Sequence, residues 1–475
     1  MSKQNHSRAW AARLLAAGTL LASTGKALAD VRYVDLNSTN PMPPYTLWVT
    51  AATNIQDAVD AAVAGDEIVV TNGLYAIGGR ATASDLTVNR VMVDKPVSLL
   101  SVHGPQSTTI DGAQSVRCVY LTNGASLSGF TLTNGYAFQG GGLWCESTNV
   151  LISNCTLTGN SAYNGGGAAN AALNNCSLNG NRARFAGGGA ASSTLNNCSL
   201  NGNSAGDIQS IDGPSGGDGG GAFACTLNNC TLSGNSALSY SISSGRGGGA
   251  CYSTLNNCIV YFNGAQFGAN YWSTDLDTLN HCCTTPLPAR GLGNITSDPM
   301  FVDTNGWANL RLQLNSSCIN AGLSALAPAG PDLDDNPRIK GGTVDIGAYE
   351  FQSPASMISY AWLQQYALPT DGSADTADPD GEGLNNWQEW RCGTDPTNAL
   401  SALRLLAPAV VGSGLVVRWE SVADRTYSLE RSTTASSGFT TLATGIPGQP
   451  GTTTYTDNNA IGAGPFFYRV GVSAP

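Results

Sequence analysis

The sequence predicts an all-β protein whose largest part is a right-handed parallel β-helix. Three observations predict this fold: a phrase that recurs along the chain, a glycine count of 58 in 475 residues, and a charged fraction of only 12%. After the β-helix we expect a small calcium loop and a C-terminal β-sandwich. A helix near the N-terminus is expected to cap the open end of the β-helix, where the first coil has no neighbour.

The recurring phrase lies between Leu127 and Asn263. Its copies read LSGFTLTNG, ISNCTLTGN, LNNCSLNGN (twice), LNNCTLSGN and LNNCIVYFN, and a triple glycine precedes each copy that carries cysteine. From Phe130 through the five cysteines, the steps between copies are 25, 21, 22, 32 and 28 residues. Self-similarity at this period is typical of a solenoid.

Two kinds of solenoid, a leucine-rich repeat and a parallel β-helix, are compatible with this repeat. The phrase fits the leucine-rich-repeat signature, which needs a helix or another regular element in the second half of each repeat. Here the second half is GGGA with small polar residues, which are poor helix formers. Glycine and alanine suit tight corners and close backbone approach, so the parallel β-helix is the preferred interpretation.

In a β-helix, equivalent residues stack at a spacing of ~4.8 Å. We therefore expect Leu173, Cys176 and Leu178 to point inward, and Asn174 and Asn175 to form amide ladders near a corner. The repeat cysteines are expected to form a buried apolar column rather than a metal or redox site. These are Cys155, Cys176, Cys198, Cys230 and Cys258. Six less regular cysteines leave disulfide pairing open: Cys225, Cys251, Cys282, Cys283, Cys318 and Cys392.

Composition excludes some functions. Lys and Arg total 22 against 33 for Asp and Glu, which gives a net charge of −11 and argues against a nucleic-acid partner. Beyond the N-terminal segment only His103 and His281 remain, which leaves little room for His-rich metal sites or a Ser-His-Asp triad.

The N-terminus has the pattern of a secretory signal peptide. Basic residues precede the apolar run LLAAGTLLAS, and Ala27-Leu28-Ala29 offers a cleavage site. The run is shorter than the ~20 residues that span a membrane, and no later segment looks transmembrane. We expect an exported protein, extracellular or at the cell surface, with this domain organisation: signal peptide 1–29, β-helix 30–352, linker with calcium loop 353–400, and β-sandwich 401–475.

The capping helix is predicted within TNIQDAVDAAVAGD. Thr53 and Gln56 match a capping box, and Gly65 marks the end. The inward face is expected to carry Ile55, Val59 and Val63.

Three segments resemble exported bacterial parallel β-helix proteins. The first runs from YVDLNSTN to TNGLYA and resembles the N-terminal part of such proteins. The second is the repeat region, whose GGGA and LTGN phrases resemble the repeats of polymorphic outer-membrane proteins. The third, DPMFVDTNGWANLRLQLNSSCINAG with DDNPRIKGGTVDIGAYEF, is similar to the last coils of choice-of-anchor Q surface proteins. The resemblance covers roughly residues 31–352 and implies a pectate-lyase-like fold and export. It does not fix an activity, because such proteins include enzymes and adhesins.

Residues 371–398 fit a calcium-binding loop. Against the EF-hand template, oxygen ligands fall at positions 1, 3, 5, 7, 9 and 12, and Gly383 takes the sharp turn. These ligands are Asp378, Asp380, Glu382, the Leu384 carbonyl, Asn386 and Glu389. Glutamate at position 5 departs from the usual Asp or Asn. The loop also resembles thrombospondin type 3-like or dockerin-like loops. We expect a structural Ca²⁺ that stiffens the join between domains.

From about Ala402 the chain changes to short alternating strands with Gly and Pro turns, which predicts a small β-sandwich. It resembles a fibronectin type III-like domain, in which Trp419 and Tyr468 would be core aromatics.

A variable edge before each triple glycine is the candidate functional site, because stacking would align its side chains. It carries Tyr136, Phe138, Tyr163, Phe185 and Tyr240, together with six weak catalytic candidates: Arg182, Arg184, Asp207, Asp212, Asp218 and Arg246. Polysaccharide lyases of this fold resemble that layout, with acids that hold Ca²⁺ on a uronate and a basic residue as the base. This sequence lacks their dense acidic cluster and paired basic residues.

The sequence thus favours an exported or cell-surface scaffold with an adhesive or glycan-binding role. Its expected partner is an extracellular polysaccharide or a cell-surface component. The alternative is a polysaccharide lyase or glycoside hydrolase that acts on an acidic polysaccharide along the same edge.

Overall fold

The structure is a computed structural model that describes residues 29–82, 86–206, 216–239, 244–273, 278–411, 414–460 and 464–473. The predicted signal peptide lies outside the described residues, apart from Ala29. The rest is an all-β protein built on a parallel β-helix, as predicted. Four sheets surround one apolar core, and all their strands pair in parallel except the edge strand Arg80–Ala81, so the leucine-rich-repeat alternative is wrong.

Two of the sheets contain the recurring phrase. Sheet 1 has ten strands: Val31–Val34, Glu67–Val70, Ser98–Ser101, Ser126–Ser128, Leu151–Ser153, Ala172–Asn174, Thr194–Asn196, Thr226–Asn228, Thr254–Asn256 and Leu279–Asn280. Sheet 2 has nine: Gly73–Tyr75, Thr108–Asp111, Thr131–Thr133, Thr156–Thr158, Ser177–Asn179, Ser199–Asn201, Thr231–Ser233, Ile259–Tyr261 and Cys283–Thr284.

The other two sheets flank the triple glycines. Sheet 3 has six strands: Tyr136–Gln139, Ser161–Asn164, Arg182–Ala186, Ser204–Ala205, Ser236–Ala237 and Gly264–Ala265. Sheet 4 has nine: Arg80–Ala81, Val88–Val93, Arg117–Leu121, Leu143–Cys145, Ala168–Ala169, Ala190–Ala191, Ala222–Phe223, Ala250–Cys251 and Tyr271–Trp272.

The predicted columns are present. Leu173, Cys176 and Leu178 are buried, and in-register pairing stacks each on its equivalents. Asn196 donates from Nδ2 to Oδ1 of Asn174 at 2.9 Å, which confirms an amide ladder at this corner.

A second amide ladder, which the sequence analysis did not predict, lies inside the coil. Its asparagines end each copy of the phrase, and each donates from Nδ2 to the Oδ1 of the next at 2.9–3.0 Å: Asn160 to Asn181, Asn181 to Asn203, Asn203 to Asn235 and Asn235 to Asn263. The residue before each asparagine has a positive φ, and this turns the following side chain inward. It is a glycine in the first four copies (Gly180 +61°) and Phe262 (+61°) before Asn263. The first four members of this ladder are buried polar groups whose hydrogen bonds are supplied by their neighbours on adjacent coils.

All thirteen cysteines are free thiols in the structure, including the six for which pairing was left open. Twelve of them are buried and Cys392 is partly exposed. Burial raises the pKa of Cys118, Cys145 and Cys225 to about 12. Burial also raises the pKa of the five repeat cysteines well above its usual value, so they act as small apolar side chains, as expected.

Helix α1 (Ile55–Ala61) packs on the first strands of sheets 1 and 4 and covers that end of the core. Two details of the prediction are wrong. The N-cap is Asn54, whose side chain accepts from the Asp57 N–H, because the helix begins one residue later than the capping-box match with Thr53 required. Val63 is exposed because the helix ends at Ala61.

The last strand of the four sheets ends at Thr284. The segment from Asp298 onward, which resembles the last coils of choice-of-anchor Q proteins, therefore lies outside these sheets. Residues Phe301–Asp303 and Asn309–Leu312 form an antiparallel hairpin. The chain after the hairpin then returns along the corner between sheets 1 and 2, where four corner asparagines donate to its carbonyls: Asn175 to Asp332, Asn197 to Pro331, Asn229 to Asp345 and Asn257 to Leu323.

Two short helices follow, α2 (Tyr360–Gln365) and α3 (Asn386–Cys392), and 3₁₀ turns lie at Trp48–Thr50, Asn305–Trp307 and Ser324–Leu326. The C-terminal part forms two three-stranded antiparallel sheets from Leu405–Val411, Gly414–Ser421, Thr426–Ser432, Thr440–Pro447, Gly451–Asp457 and Phe467–Val472. Trp419 is fully buried there against Tyr427, and Tyr468 packs on the same cluster while partly exposed.

Candidate functional site

The variable edge is a strand face: it is the outer face of sheet 3. Alternate residues of a strand point to opposite faces. The small residues Ala137, Ala162 and Ala183 face the core, so the residues between them face outward. This alternation places the predicted aromatic and basic side chains in columns on one surface.

The main column consists of Phe138, Tyr163 and Phe185, which we call the aromatic column. Ring centroids lie 5.0 Å apart between Phe138 and Tyr163 and 5.8 Å apart between Tyr163 and Phe185. Phe138 is 61% exposed and Phe185 is 42% exposed. The exposed rings of Phe138 and Phe185 and the partly exposed ring of Tyr163 form a continuous apolar strip over adjacent coils, which makes this face a candidate binding surface.

The arginines of this face lie beside the column. A shift of register between the strands of Tyr163 and Phe185 sets two residues opposite one. As a result the Arg184 guanidinium lies 5.3 Å from the Tyr163 ring centroid and 5.2 Å from that of Phe185, within cation–π range. Arg182 is exposed at the start of the same strand.

Asp218 and Arg246 continue the face on the next two coils. They form a two-pronged ion pair, with Nε to Oδ1 at 3.0 Å and Nη2 to Oδ2 at 2.8 Å. The Asp218 carboxylate raises the pKa of Arg246 above its usual value. The pair lines a depression of about 510 Å³ together with Phe267 and Trp272.

The structure thus brings four of the six weak catalytic candidates onto one surface: Arg182, Arg184, Asp218 and Arg246. The other two, Asp207 and Asp212, lie outside the described residues, as does Tyr240.

Phe267 and Trp272 were missed by the sequence analysis, although a signal was present. Asp218, Arg246 and Phe267 each stand directly before a corner glycine, and strand pairing stacks them in that order. The last of these corners reads GANY instead of GGGA, so it was not recognised as a copy of the repeat. Trp272 then follows at the place that Cys251 takes in the previous coil.

The candidate metal centre is the loop before helix α3. Carboxylate oxygens of Asp378, Asp380 and Glu382 lie within 4.8 Å of one another. Asp378 accepts from the backbone N–H groups of Gly381 and Gly383 at 2.8 and 3.0 Å, which fixes the turn. The three acidic residues predicted at positions 1, 3 and 5 are therefore brought together.

Oxygen atoms from the loop and from α3 are buried there without hydrogen-bond partners. They belong to Asp380 (both oxygens), Glu382 (both oxygens), Asn386 (Oδ1) and Glu389 (Oε2). Asn386 and Glu389 are fully buried on the first turns of α3, which Asn385 caps. Burial raises the pKa of Glu389 to about 7, and the nearby charges of Glu382, Asp380 and Asp378 add to the shift. Unpartnered buried oxygens carry a free-energy penalty that a cation relieves, so the donor set fits Ca²⁺.

Comparison with known proteins gives similarity of fold only. No family model matches the chain, and no curated protein matches it. Three solved structures are similar over most of their own length: pectate lyase Pel9A (14% identity, 69% of this chain and 97% of that chain, TM-score 0.39), a rhamnogalacturonan lyase (12%, 58% and 91%, 0.30) and the rice weevil pectin methyl esterase (14%, 55% and 85%, 0.25). The assignment of a parallel β-helix rests on the strand pairing described above.

Among the described residues, none of the helices has the length and apolar character that crossing a membrane requires.

Proposed function

We propose that this chain is an exported, surface-displayed β-helix protein that binds an extended acidic polysaccharide along the outer face of sheet 3. The observation that carries the proposal is the aromatic column with Arg182 and Arg184 beside it. A β-helix repeats its outer face at a spacing of ~4.8 Å, so it offers a linear polymer the same kind of contact on successive coils.

The chemistry of the face supports an acidic polymer. Aromatic side chains offer apolar area to the C–H groups of sugars at a low cost in conformational entropy. Arginine offers several donors in a planar fork that matches a carboxylate. The Arg184 side chain lies against Tyr163 and Phe185, which limits its conformational freedom before a ligand arrives.

The Asp218–Arg246 pair favours binding over cleavage. A basic residue that removes a proton from a sugar ring must be able to lose its own proton. The Arg246 guanidinium is held in its charged form by two hydrogen bonds to Asp218 and donates a third to the Tyr252 hydroxyl at 3.0 Å. Its raised pKa opposes a role as a base.

Affinity electrophoresis in gels that contain polygalacturonate or neutral galactan would test this binding. The wild-type chain should be retarded by polygalacturonate alone. Tyr163→Ala removes the central ring of the column and should weaken binding about tenfold, the equivalent of about 1.4 kcal/mol. Leu151→Ala is the matched control, since Leu151 is an exposed apolar residue on sheet 1 in the same coil. Full retardation of Tyr163→Ala, or equal retardation by galactan, would refute the proposal.

The alternative function, a lyase or hydrolase acting on an acidic polysaccharide, is tested with the same polymer. We expect no new reducing ends and no unsaturated uronate ends after long incubation. If the wild-type chain does release them, and Arg182→Ala or Asp218→Ala abolishes the release, the face is an active site and cleavage replaces binding as its function.

We further propose a structural Ca²⁺ held by Asp378, Asp380, Glu382, Asn386 and Glu389, with the Leu384 carbonyl as the predicted sixth ligand. The unpartnered buried oxygens support this set. The ion would join the loop to helix α3, and Arg425 of the C-terminal part donates to the carbonyls of Trp390 and Arg391 at the end of that helix. A cation here would therefore stiffen the region between the β-helix and the C-terminal sheets.

A further inference from the structure

The outer face of sheet 2 holds a second groove, separate from the sheet 3 face. It has a volume of about 460 Å³, within the range of small-ligand sites. Its floor is made of small polar residues of sheet 2, among them Ser199 and Asn201, and its walls include Trp307 of the hairpin segment and Tyr349. None of the residues that line it carries a formal charge.

A column of glycines follows the strands of sheet 2, and we call it the glycine track: Gly159, Gly180, Gly202 and Gly234. All four have φ between +61° and +66°, which accounts for glycine at the turn. Because glycine has no side chain, the surface of each coil is flat at this position.

Trp307 shows what this surface accommodates. A Cβ built on Gly234 would lie 1.9 Å from the indole Nε1, so the indole lies directly on that glycine. At Gly202 and Gly180 the equivalent position is open, with no heavy atom within 4 Å. The groove therefore has an aromatic wall at one end of the track and two vacant positions beside it, each shaped like the one that a flat ring already occupies.

Polar groups on the floor lack part of their hydrogen bonding. Asn201 donates to Ser199 Oγ at 2.8 Å and to Asn179 Oδ1 at 3.3 Å, but its own Oδ1 is buried without a partner. A buried acceptor that is left unpaired is unfavourable, and a ligand hydroxyl would satisfy it once the Asn201 amide turns toward the groove. The site thus combines an aromatic wall, a flat floor, an unfilled acceptor and no charge.

We infer that this groove binds a neutral sugar ring, which lies on Gly202 beside Trp307 and donates a hydroxyl to Asn201. A charged sugar would find no counter-charge among the residues that line the groove, whereas a neutral pyranose offers both C–H groups and hydroxyls. This inference does not depend on the proposed function, because the two sites lie on different sheets and differ in charge.

The test measures binding of cellotetraose, xylotetraose, mannotetraose and trigalacturonate to the full chain by isothermal titration calorimetry. At least one neutral tetrasaccharide should bind, and trigalacturonate should not compete with it. Gly202→Asn places a side chain on the open position with little backbone strain, because asparagine tolerates positive φ, and should weaken binding by at least about tenfold. Gly159→Asn is the control, since it lies in the same track outside the groove.

Trp307→Ala should weaken binding to a similar extent. Because loss of the indole could shift the hairpin, Ser199→Val changes the floor of the groove instead and should also weaken binding. Unchanged affinity in Gly202→Asn, or no binding of any neutral probe, overturns the inference. Tyr163→Ala should leave the neutral sugar bound as in the wild type. Failure of the sheet 3 proposal is therefore distinguishable from failure of this one.

Discussion

Arg246 and Asp218 lie 28 residues apart in the chain, yet the two side chains meet on adjacent coils through two parallel hydrogen bonds of 3.0 and 2.8 Å. Column stacking produces this pair, because both residues stand directly before a corner glycine and strand pairing sets them side by side. The ion pair is therefore part of the repeat geometry rather than a contact between distant loops.

The strength of this pair is the first prediction. Both side chains are partly exposed, so solvent screens their attraction and we expect a coupling of about 0.5–1 kcal/mol. The measurement is a double-mutant cycle with Asp218→Asn and Arg246→Gln, followed by urea denaturation. A coupling free energy indistinguishable from zero would show that the two side chains are not paired in solution.

The buried thiols make a second prediction. A thiolate is the form that alkylates, and burial raises the pKa of Cys118, Cys145 and Cys225 to about 12, which leaves almost no thiolate at pH 8. Iodoacetamide should therefore modify Cys392 first, because it alone is partly exposed. The remaining twelve should react only in denaturant, as measured by mass spectrometry. Fast labelling of a column cysteine in the folded chain would contradict a closed core.

The same thiols predict loss of stability at alkaline pH. The thiols of Cys118, Cys145 and Cys225 and of the five repeat cysteines have a higher pKa folded than unfolded, so between the two values the folded chain holds more protons. Stability is then complete below the unfolded value near 9 and falls as the pH rises toward 12. Chemical denaturation at pH 7, 9, 10 and 11 measures the slope. Replacing Cys176, Cys198 and Cys230 by alanine should lower stability at pH 7 and flatten the decline; an unchanged slope would assign the decline to other groups.

The parallel β-helix was predictable because identical phrases at a regular period force identical environments. Leu173, Cys176 and Leu178 could be assigned to the core from their spacing alone. The inner asparagine ladder was not predicted, because strand alternation does not extend through Gly180, where the positive φ reverses the side to which the next residue points. Asn181 therefore faces the core although simple alternation places it outside.

The candidate sites also contain residues that the sequence could locate and contacts that it could not. The acidic residues of the calcium loop follow one another closely, so a local template located them. Arg246 could be aligned with Asp218 from the repeat, but Trp307 could not be placed on Gly234. That contact joins a hairpin to a coil some 70 residues earlier, and no periodic signal connects them.

The inner ladder carries the next prediction. The Asn203 side chain donates to Leu178 O and Asn235 Oδ1, and it accepts from both the backbone N–H and the Nδ2 of Asn181. Asn203→Ala leaves buried donors unpaired and should lower the free energy of unfolding by about 3 kcal/mol or more. Asn196→Ala in the partly exposed outer ladder is the control and should cost about 1 kcal/mol. Equal losses, measured by urea denaturation, would contradict the special role of the inner ladder.

Calcium removal is the last prediction. Without a cation, the clustered carboxylates of Asp378, Asp380 and Glu382 repel one another, and the buried oxygen of Glu389 stays unpartnered. A chelator should therefore open residues 371–398 to limited proteolysis, and added Ca²⁺ should restore protection and raise the melting temperature. Ligands that bind only the folded state stabilise it in proportion to their concentration over Kd, so the shift should grow with Ca²⁺.

Two variants separate a specific site from general screening of acidic charge in this segment. Asp380→Asn removes one charge from the cluster and should abolish most of the Ca²⁺-dependent shift in melting temperature. Asp371→Asn removes one charge from the same acidic segment outside the cluster, where Asp371 only accepts from Ser373, and should keep the full shift. If both variants respond to Ca²⁺ as the wild type does, the loop is a solvated acidic linker and holds no calcium.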